Sequence, residues 1–170
     1  ELLEELGLAD FERATKVSGG GFYFLKGDLV KLELALISFA AAIMEKKGFT
    51  LIEPPLMMHK KPYEGVVALA DFENVMYKID DSDGKSDVKD KKESSYLIAT
   101  SEHPIAAMMM GEVLDEKSLP VKLCGVSTCF RREIGSHGID TRGLFRVHQF
   151  TKVEQFVFSK PEDSWKIHEE

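Results

Sequence analysis

Positive charge is in deficit in this chain, cysteine is scarce, and no apolar run is long enough to cross a membrane. Lys and Arg number 22 against 29 Asp and Glu, giving a formal net charge of -7. A domain that grips nucleic acid over a broad face is usually basic, so any RNA contact rests on a local patch or on another part of the protein. A few arginines can still hold ATP or an RNA end, because net charge does not fix the field inside one pocket. Cys124 and Cys129 are the only cysteines. That is too few for a disulfide scaffold, and their spacing is not that of a zinc-binding pair. They read as reduced core thiols of a cytosolic protein. No apolar stretch approaches the roughly 20 residues of a membrane helix. The acidic start, Glu1-Leu2-Leu3-Glu4-Glu5, has no signal-peptide character. The missing initiator Met and the unpunctuated end at His168-Glu169-Glu170 suggest a piece of a longer protein.

What is present is 44% hydrophobic and 30% charged over 170 residues. This is ordinary for a soluble globular protein, and the length suffices for one domain with its own core. With no internal repeat or linker, residues 1–170 read as a single domain. Residues Glu1 to Arg13 read as an amphipathic helix, broken by Ser18-Gly19-Gly20-Gly21. Phe22 to Leu25 is an aromatic strand candidate. Asp28 suits the N-cap of a long helix with Leu29, Leu32, Leu36, Ala40, Ile43 and Met44 on one face, and Gly48 suits its stop. Phe49 to Glu53 alternates like a strand that Pro54-Pro55 ends or confines to a sheet edge. Asp80 to Ser95 is too charged and small to pack a core and reads as a dispensable surface loop.

Tyr96 to Thr100 is a further strand candidate. Pro104 suits the first turn of a helix carrying Met108, Met109 and Met110 as core filling. Val121 to Phe130 reads as a strand, Ile134 to Leu144 as a Gly-rich loop, Phe145 to Ser159 as a long strand, and a helix begins after Pro161. The order points to an α+β fold with an antiparallel β-sheet flanked by helices.

Chemistry concentrates at Phe130-Arg131-Arg132-Glu133 and Phe145 to Glu154. Alternate strand residues share a face, so Arg146, His148, Phe150, Lys152 and Glu154 fall on one side, and Arg131 and Glu133 share a face of the partner strand. Arginine can orient phosphate with paired donors, a ring can support a base, and a carboxylate can accept from an amino group. From Arg146 to Glu154 spans about 26 Å of strand, room for an extended ligand. The same residues also suit a solvated sheet face with cross-strand salt bridges, and alternation alone does not separate the two.

This two-strand unit, residues 130–154, resembles motif 2 of class II aminoacyl-tRNA synthetases, and its loop Glu133 to Leu144 with His148-Gln149-Phe150 and Lys152-Val153-Glu154 is most similar to the seryl enzymes. Threonyl and prolyl relatives share the Arg-x-Glu start but differ after the loop. Gly48 to Leu56 resembles motif 1, the dimer interface, and Phe22 to Leu29 the stretch before it. Thr100-Ser101-Glu102, a triplet that could otherwise cap a helix, resembles the Thr-x-Glu element that binds serine and argues for the zinc-free type.

The resemblance implies the class II catalytic fold, incomplete at its C-terminus, and a serine–tRNA ligase that activates L-serine with ATP to seryl-adenylate, releasing pyrophosphate, and transfers the seryl group to the 3' end of tRNA(Ser). It implies ATP contacts from Arg131, Arg132, Glu133, Arg146, Val147 and Phe150, with Arg131 the catalytic residue. It implies serine contacts from Thr100, Ser101, Glu102, Arg131 and Glu154. Arg142 on the loop would meet ATP or the acceptor end of tRNA, and His148 would be a supporting residue. Motif 3 and the Mg²⁺ ligands are expected beyond Glu170, with no metal ligands within the chain, and a coiled-coil arm before Glu1. A cytoplasmic homodimer joined through motif 1, without membrane contact, is expected. The alternatives are a decayed paralogue acting as a dimeric binding protein and an amino-acid:carrier-protein ligase.

Overall fold

Gly7 divides the segment expected as one amphipathic helix. In the computed structural model, which describes residues 2–68, 72–79, 94–133 and 144–170, helix α1 covers Leu2–Glu5 and Gly7 follows at φ 68. A left-handed backbone costs a side-chain-bearing residue about 1 kcal/mol or more, but glycine little. Strand β1 (Ala9–Asp10) comes next, and the Asp10 carboxylate caps helix α2 (Phe11–Ser18), accepting from the Arg13 backbone N–H at 2.9 Å. Of the aromatic run only Phe24–Leu25 forms a strand, β2, antiparallel to β1.

Helix α3 (Asp28–Lys46) begins one residue earlier than Asp28 as a cap would allow. Gly27 is the N-cap, and the Asp28 carboxylate instead accepts from Lys31 Nζ at 2.9 Å. Of the expected apolar face, Leu29, Ala40, Ile43 and Met44 are partly covered, together with Glu33, Ile37 and Ala41, but Leu32 and Leu36, like Leu34 and Phe39, are more than half exposed. The helix is apolar almost all round, so periodicity alone cannot say which stripe meets the sheet. Gly48, at φ 81, follows its end as expected.

The main sheet has the order β3-β7-β8, with β3 (Thr50–Ile52) parallel to β7 (Val121–Phe130) and β8 (Gln149–Phe158) antiparallel to it. The fold is thus α+β with antiparallel pairing as expected, plus one parallel edge strand that stops before Pro54-Pro55. Strand β8 starts later than the expected Phe145, because the His148 N–H is taken by the Gly21 carbonyl at 2.9 Å. Helix α3 packs against all three strands.

A second, antiparallel sheet has the order β4-β6-β5, from Met57–His59, Ser95–Leu97 and Lys78–Ile79. Around it Met58, Tyr63, Met76, Tyr96, Ile98 and Ala99 form the buried core, with helix α4 (Lys60–Glu64) supplying Tyr63. The expected strand to Thr100 ends at Leu97, but Ile98 continues the pairing: its N–H donates to Leu56 and its carbonyl accepts from Phe130. Helix α5 (Glu102–Ala107) has Pro104 in its first turn as expected. It stops short of the methionines, and Met108 and Met110, each about half exposed, do not fill the core. Helix α6 (Ser164–Glu169) closes the chain after a turn at Pro161. No helix among the described residues is long and apolar enough to cross a membrane. Apart from Ser94 and Ser95, the expected Asp80–Ser95 loop lies outside the described residues.

Candidate active site

Directly opposed residues of an antiparallel pair share a face. In β7 and β8 the register opposes Gly125 to Glu154, Ser127 to Lys152 and Cys129 to Phe150. The start of α5 packs over this face at Gly125. A Cβ there would lie 2.8 Å from Ser101 Oγ and 2.8 Å from Ile105 Cδ1. The missing side chain is what lets Ser101 reach across to Glu154.

Glu154 is the hub. Its Oε2 accepts from Thr100 Oγ1 at 2.5 Å, from Ser101 Oγ at 2.8 Å and from the Glu102 backbone N–H at 3.1 Å. Its Oε1 accepts from Lys152 Nζ at 2.8 Å, and the same ammonium donates to Thr100 Oγ1 at 2.6 Å. Burial by itself raises the Glu154 carboxyl. The hydrogen bonds from Lys152, Thr100 and Ser101 together outweigh it and hold the carboxyl below its ordinary 4.5. Thr100 and Ser101 are buried, and Glu102 leaves its side chain exposed at the helix start. With its hydroxyl on Glu154, Ser101 shapes the carboxylate, while the exposed Glu102 side chain is open to a ligand.

Behind this hub, Tyr63 is fully buried, and burial pushes its hydroxyl up to about 12. It meets His103 Nδ1 at 2.8 Å. Burial, aided by the Lys152 and Arg131 cations, lowers the His103 imidazole against the opposing pull of Glu154. A histidine held neutral against a phenol reads as scaffold.

Arg131 lies beyond the end of β7 with its guanidinium 5.2 Å from the centre of the Phe150 ring, and its Nε donates to the Ala99 carbonyl at 3.2 Å. Glu133 and Arg146 meet at 3.1 Å, and Glu133 sits at φ 46, a left-handed conformation uncommon for a residue with a side chain. Arg131 thus meets Phe150, and Glu133 meets Arg146, but the second pair lies outside the strands, where alternation does not govern placement. Arg132 is exposed, its N–H on the Val75 carbonyl, and Val147 is buried, which leaves its backbone as the part able to face a ligand. Arg142 and His137 lie outside the described residues.

His148 fixes the Arg131 backbone from both sides. The Arg131 N–H donates to the His148 carbonyl at 2.9 Å, and His148 Nδ1 donates to the Arg131 carbonyl at 2.8 Å, with the Tyr77 hydroxyl also 2.8 Å from that nitrogen. The imidazole stacks on Phe22, with ring centres 5.2 Å apart. A Cβ on Gly21 would lie 2.4 Å from His148 Cδ2, and Gly21 is at φ 79. Gly21→Ala should therefore destabilise the protein by about 2 kcal/mol or more, whereas Gly20→Ala, with open space around it, should be close to neutral. Urea midpoints of the two variants check this; equal shifts would mean that the glycine segment is not seated on His148.

Sequence reasoning placed Lys152 on this face without giving it a role, and missed Gly21, Tyr77 and Gly125. Gly125 carried a signal, because glycine inside a strand marks a bulge or a close approach. Beside Phe150 a cavity of about 250 Å³ is lined by Phe22, Tyr23, Leu25, Glu33, Gln149 and Thr151. A larger one, about 500 Å³, lies between Lys47, Lys122, Gln155 and Glu170 and shares no residue with this cluster. Gln149 and Thr151 of the smaller cavity, like Gln155 and Val157 of the larger, lie on the face of β8 opposite Lys152 and Glu154, so neither cavity marks the cluster. Among the described residues no group of three or more His, Cys, Asp or Glu is placed to hold a metal ion.

A family model described as tRNA synthetase class II core domain (G, H, P, S and T) matches residues 77–170. The chain is 63% identical over 169 residues to the serine–tRNA ligase of Methanocella arvoryzae, covering 99% of this chain and 37% of that protein. It is 62% identical over 170 residues to that of Methanoregula boonei, again covering 37% of the relative. The seryl-tRNA synthetase of Pyrococcus horikoshii, solved in complex with ATP, superposes with a TM-score of 0.85 at 52% identity, over 99% of this chain and 35% of that one. The cytoplasmic serine–tRNA ligase of Naegleria fowleri, solved with AMP, gives 0.86 at 45% identity, over 98% of this chain and 37% of that one. The chain thus spans a little over a third of the length of these relatives.

Proposed function

The chain belongs to the class II tRNA synthetase core family, and on that premise we propose that it forms part of a serine–tRNA ligase that makes seryl-adenylate from L-serine and ATP and passes the seryl group to tRNA(Ser). One observation carries the reading. A carboxylate, Glu154, is held ionised by Thr100, Ser101 and Lys152 on the same sheet face as a guanidinium poised over an aromatic ring, Arg131 on Phe150. The first arrangement suits a primary ammonium and the second suits a nucleotide phosphate beside its base. The likeness to synthetases solved with ATP and AMP supports the second half.

In this reading Glu154, with Thr100 and Glu102, binds the serine ammonium. Glu133 accepts from the adenine amino group, Phe150 lies under adenine, and Arg132, Arg146 and the Val147 backbone border the nucleotide. Arg142 meets ATP or the tRNA end. One serine carboxylate oxygen forms a bond to the α-phosphorus as the bond to pyrophosphate breaks. Arg131 bridges that carboxylate and the α-phosphate and stabilises the charge gathering there. No side chain acts as a nucleophile. Mg²⁺ would neutralise phosphate charge in such a reaction; the described residues offer it no cluster of ligands, and no step here passes through it.

Leu51 and Leu56, exposed in the segment that resembles motif 1, and the exposed Leu32, Leu34, Leu36 and Phe39 of the preceding α3 support a homodimer through motif 1. We read residues 1–170 as one domain of a cytoplasmic enzyme. The test is ATP–pyrophosphate exchange by the full-length enzyme with each amino acid in turn. Serine alone should drive it; exchange with threonine or proline but not with serine overturns the reading.

A further inference from the structure

We infer that Lys152 is a positioning residue of the amine subsite: its ammonium locks the Glu154 carboxylate and the Thr100 hydroxyl into the arrangement that receives a ligand's primary amine, without itself touching the ligand. The inference rests on the functional reading above, which gives Lys152 no role.

The geometry is a closed ring. Lys152 and Glu154 are two residues apart on β8 and so share a face. The ammonium reaches along the strand to Glu154 Oε1 at 2.8 Å and to Thr100 Oγ1 at 2.6 Å, while Thr100 Oγ1 donates to Glu154 Oε2 at 2.5 Å. Oε2 accepts three hydrogen bonds, from Thr100, Ser101 and the Glu102 N–H. Among the described residues Oε1 accepts one hydrogen bond, from Lys152. A carboxylate oxygen has two lone-pair directions, so Oε1 keeps one for an incoming donor. The hydroxyl hydrogen of Thr100 goes to Glu154, and its two lone pairs accept from Lys152 at 2.6 Å and from the Glu102 N–H at 3.3 Å, which leaves that hydroxyl one orientation.

Two opposed effects follow from removing the lysine charge. Less positive charge beside Glu154 would attract an ammonium more strongly. Against that, Oε1 and Thr100 lose the partner that orients them, and the half-buried carboxylate loses a cation that keeps it ionised. Charge-assisted hydrogen bonds at 2.6–2.8 Å in a half-buried setting outweigh a change in mean field. The charged and titratable groups against Glu154 are Lys152 from β8 and His103 from α5, and His103 in turn feels Arg131 from the end of β7. Glu154 is held below its ordinary range. Losing Lys152 raises it, so protonation begins at higher pH and the acid limb of activity moves up.

The test uses the full-length enzyme carrying this sequence, with Lys152→Met, Lys152→Gln and Lys152→Arg. In ATP–pyrophosphate exchange the Met and Gln variants should raise KM for serine about tenfold or more, leave KM for ATP within about threefold, and shift the acid limb of kcat/KM upward. Lys152→Arg should recover most of the loss. Carbon NMR of labelled Glu154, without substrate, should show its titration moving up in the Met or Gln variant. A lower KM for serine in the Met and Gln variants would make the lysine a plug rather than a positioner. Equal losses for serine and ATP with an unmoved acid limb and an unmoved Glu154 titration would make it merely structural. Either result overturns the inference. A parent enzyme that fails to exchange with serine counts against the functional reading instead, while the Glu154 titration still decides the coupling to Lys152.

Discussion

Arg131→Ala should lower serine-dependent adenylate formation by the full-length enzyme by about a hundredfold or more, equivalent to roughly 3 kcal/mol of transition-state stabilisation. Arg132→Ala should lose far less. The two arginines are neighbours in sequence and opposites in placement. Arg131 lies over Phe150 with Nε on the Ala99 carbonyl, while Arg132 is exposed beside Val75. Arg131→Lys should recover little, because an ammonium cannot reproduce a planar fork that stacks on a ring and meets two oxygens. Initial rates of exchange, read alongside urea midpoints, separate chemistry from folding. Equal kinetic losses for the two alanine variants at equal stability would mean that the face is wrongly assigned.

The second large effect is expected at Gly125. A Cβ there meets Ser101 Oγ and Ile105 Cδ1 at 2.8 Å and Ser101 Cβ at 2.9 Å. The isoleucine tip can turn aside, but Ser101 is fully buried, bonded to Glu154 and set at the start of α5. Gly125→Ala should therefore destabilise the protein by about 1–3 kcal/mol, and Gly125→Val by more. The surviving folded enzyme should show a raised KM for serine, since the displaced Ser101 no longer holds Glu154. Thermal melting and exchange kinetics test both halves. An alanine variant with unchanged melting temperature and unchanged KM would show that the helix start yields freely and that Ser101 does not order the carboxylate.

The parts of the fold legible in the sequence were those where local chemistry and tertiary demand coincide. Val121 to Phe130 reads as a strand and pairs with Gln149 to Phe158 over its whole length. Pro54-Pro55 ends an edge strand, and Pro104 opens a helix. The gathering of Arg131, Phe150, Lys152 and Glu154 on one face follows from strand periodicity alone. Elsewhere the local signal was ambiguous. The apolar stripe of α3 could not be chosen because Leu32, Leu34 and Leu36 are as apolar as the residues that touch the sheet. Asp28 carries good cap chemistry, but Gly27 at φ 57 supplies the backbone geometry first. The methionines after Ala107 match a core pattern, yet the helix ends before them. The role of Lys152 was invisible because its partners, Thr100 and Glu154, are 52 and 2 residues away, and only the fold brings the first beside it.

The Ile98 peptide donates to Leu56 on one side and accepts from Phe130 on the other. One residue, fully buried, is thereby a shared rung of both ladders. Neither sheet can fray at this corner without releasing the other, so two layers that are separate in topology open as one cooperative unit. Thr100 and Arg131 each stand within two residues of that rung. The amine-binding and phosphate-binding halves of the site are therefore rooted in the same hinge-free corner, and a local opening that loosens one loosens both.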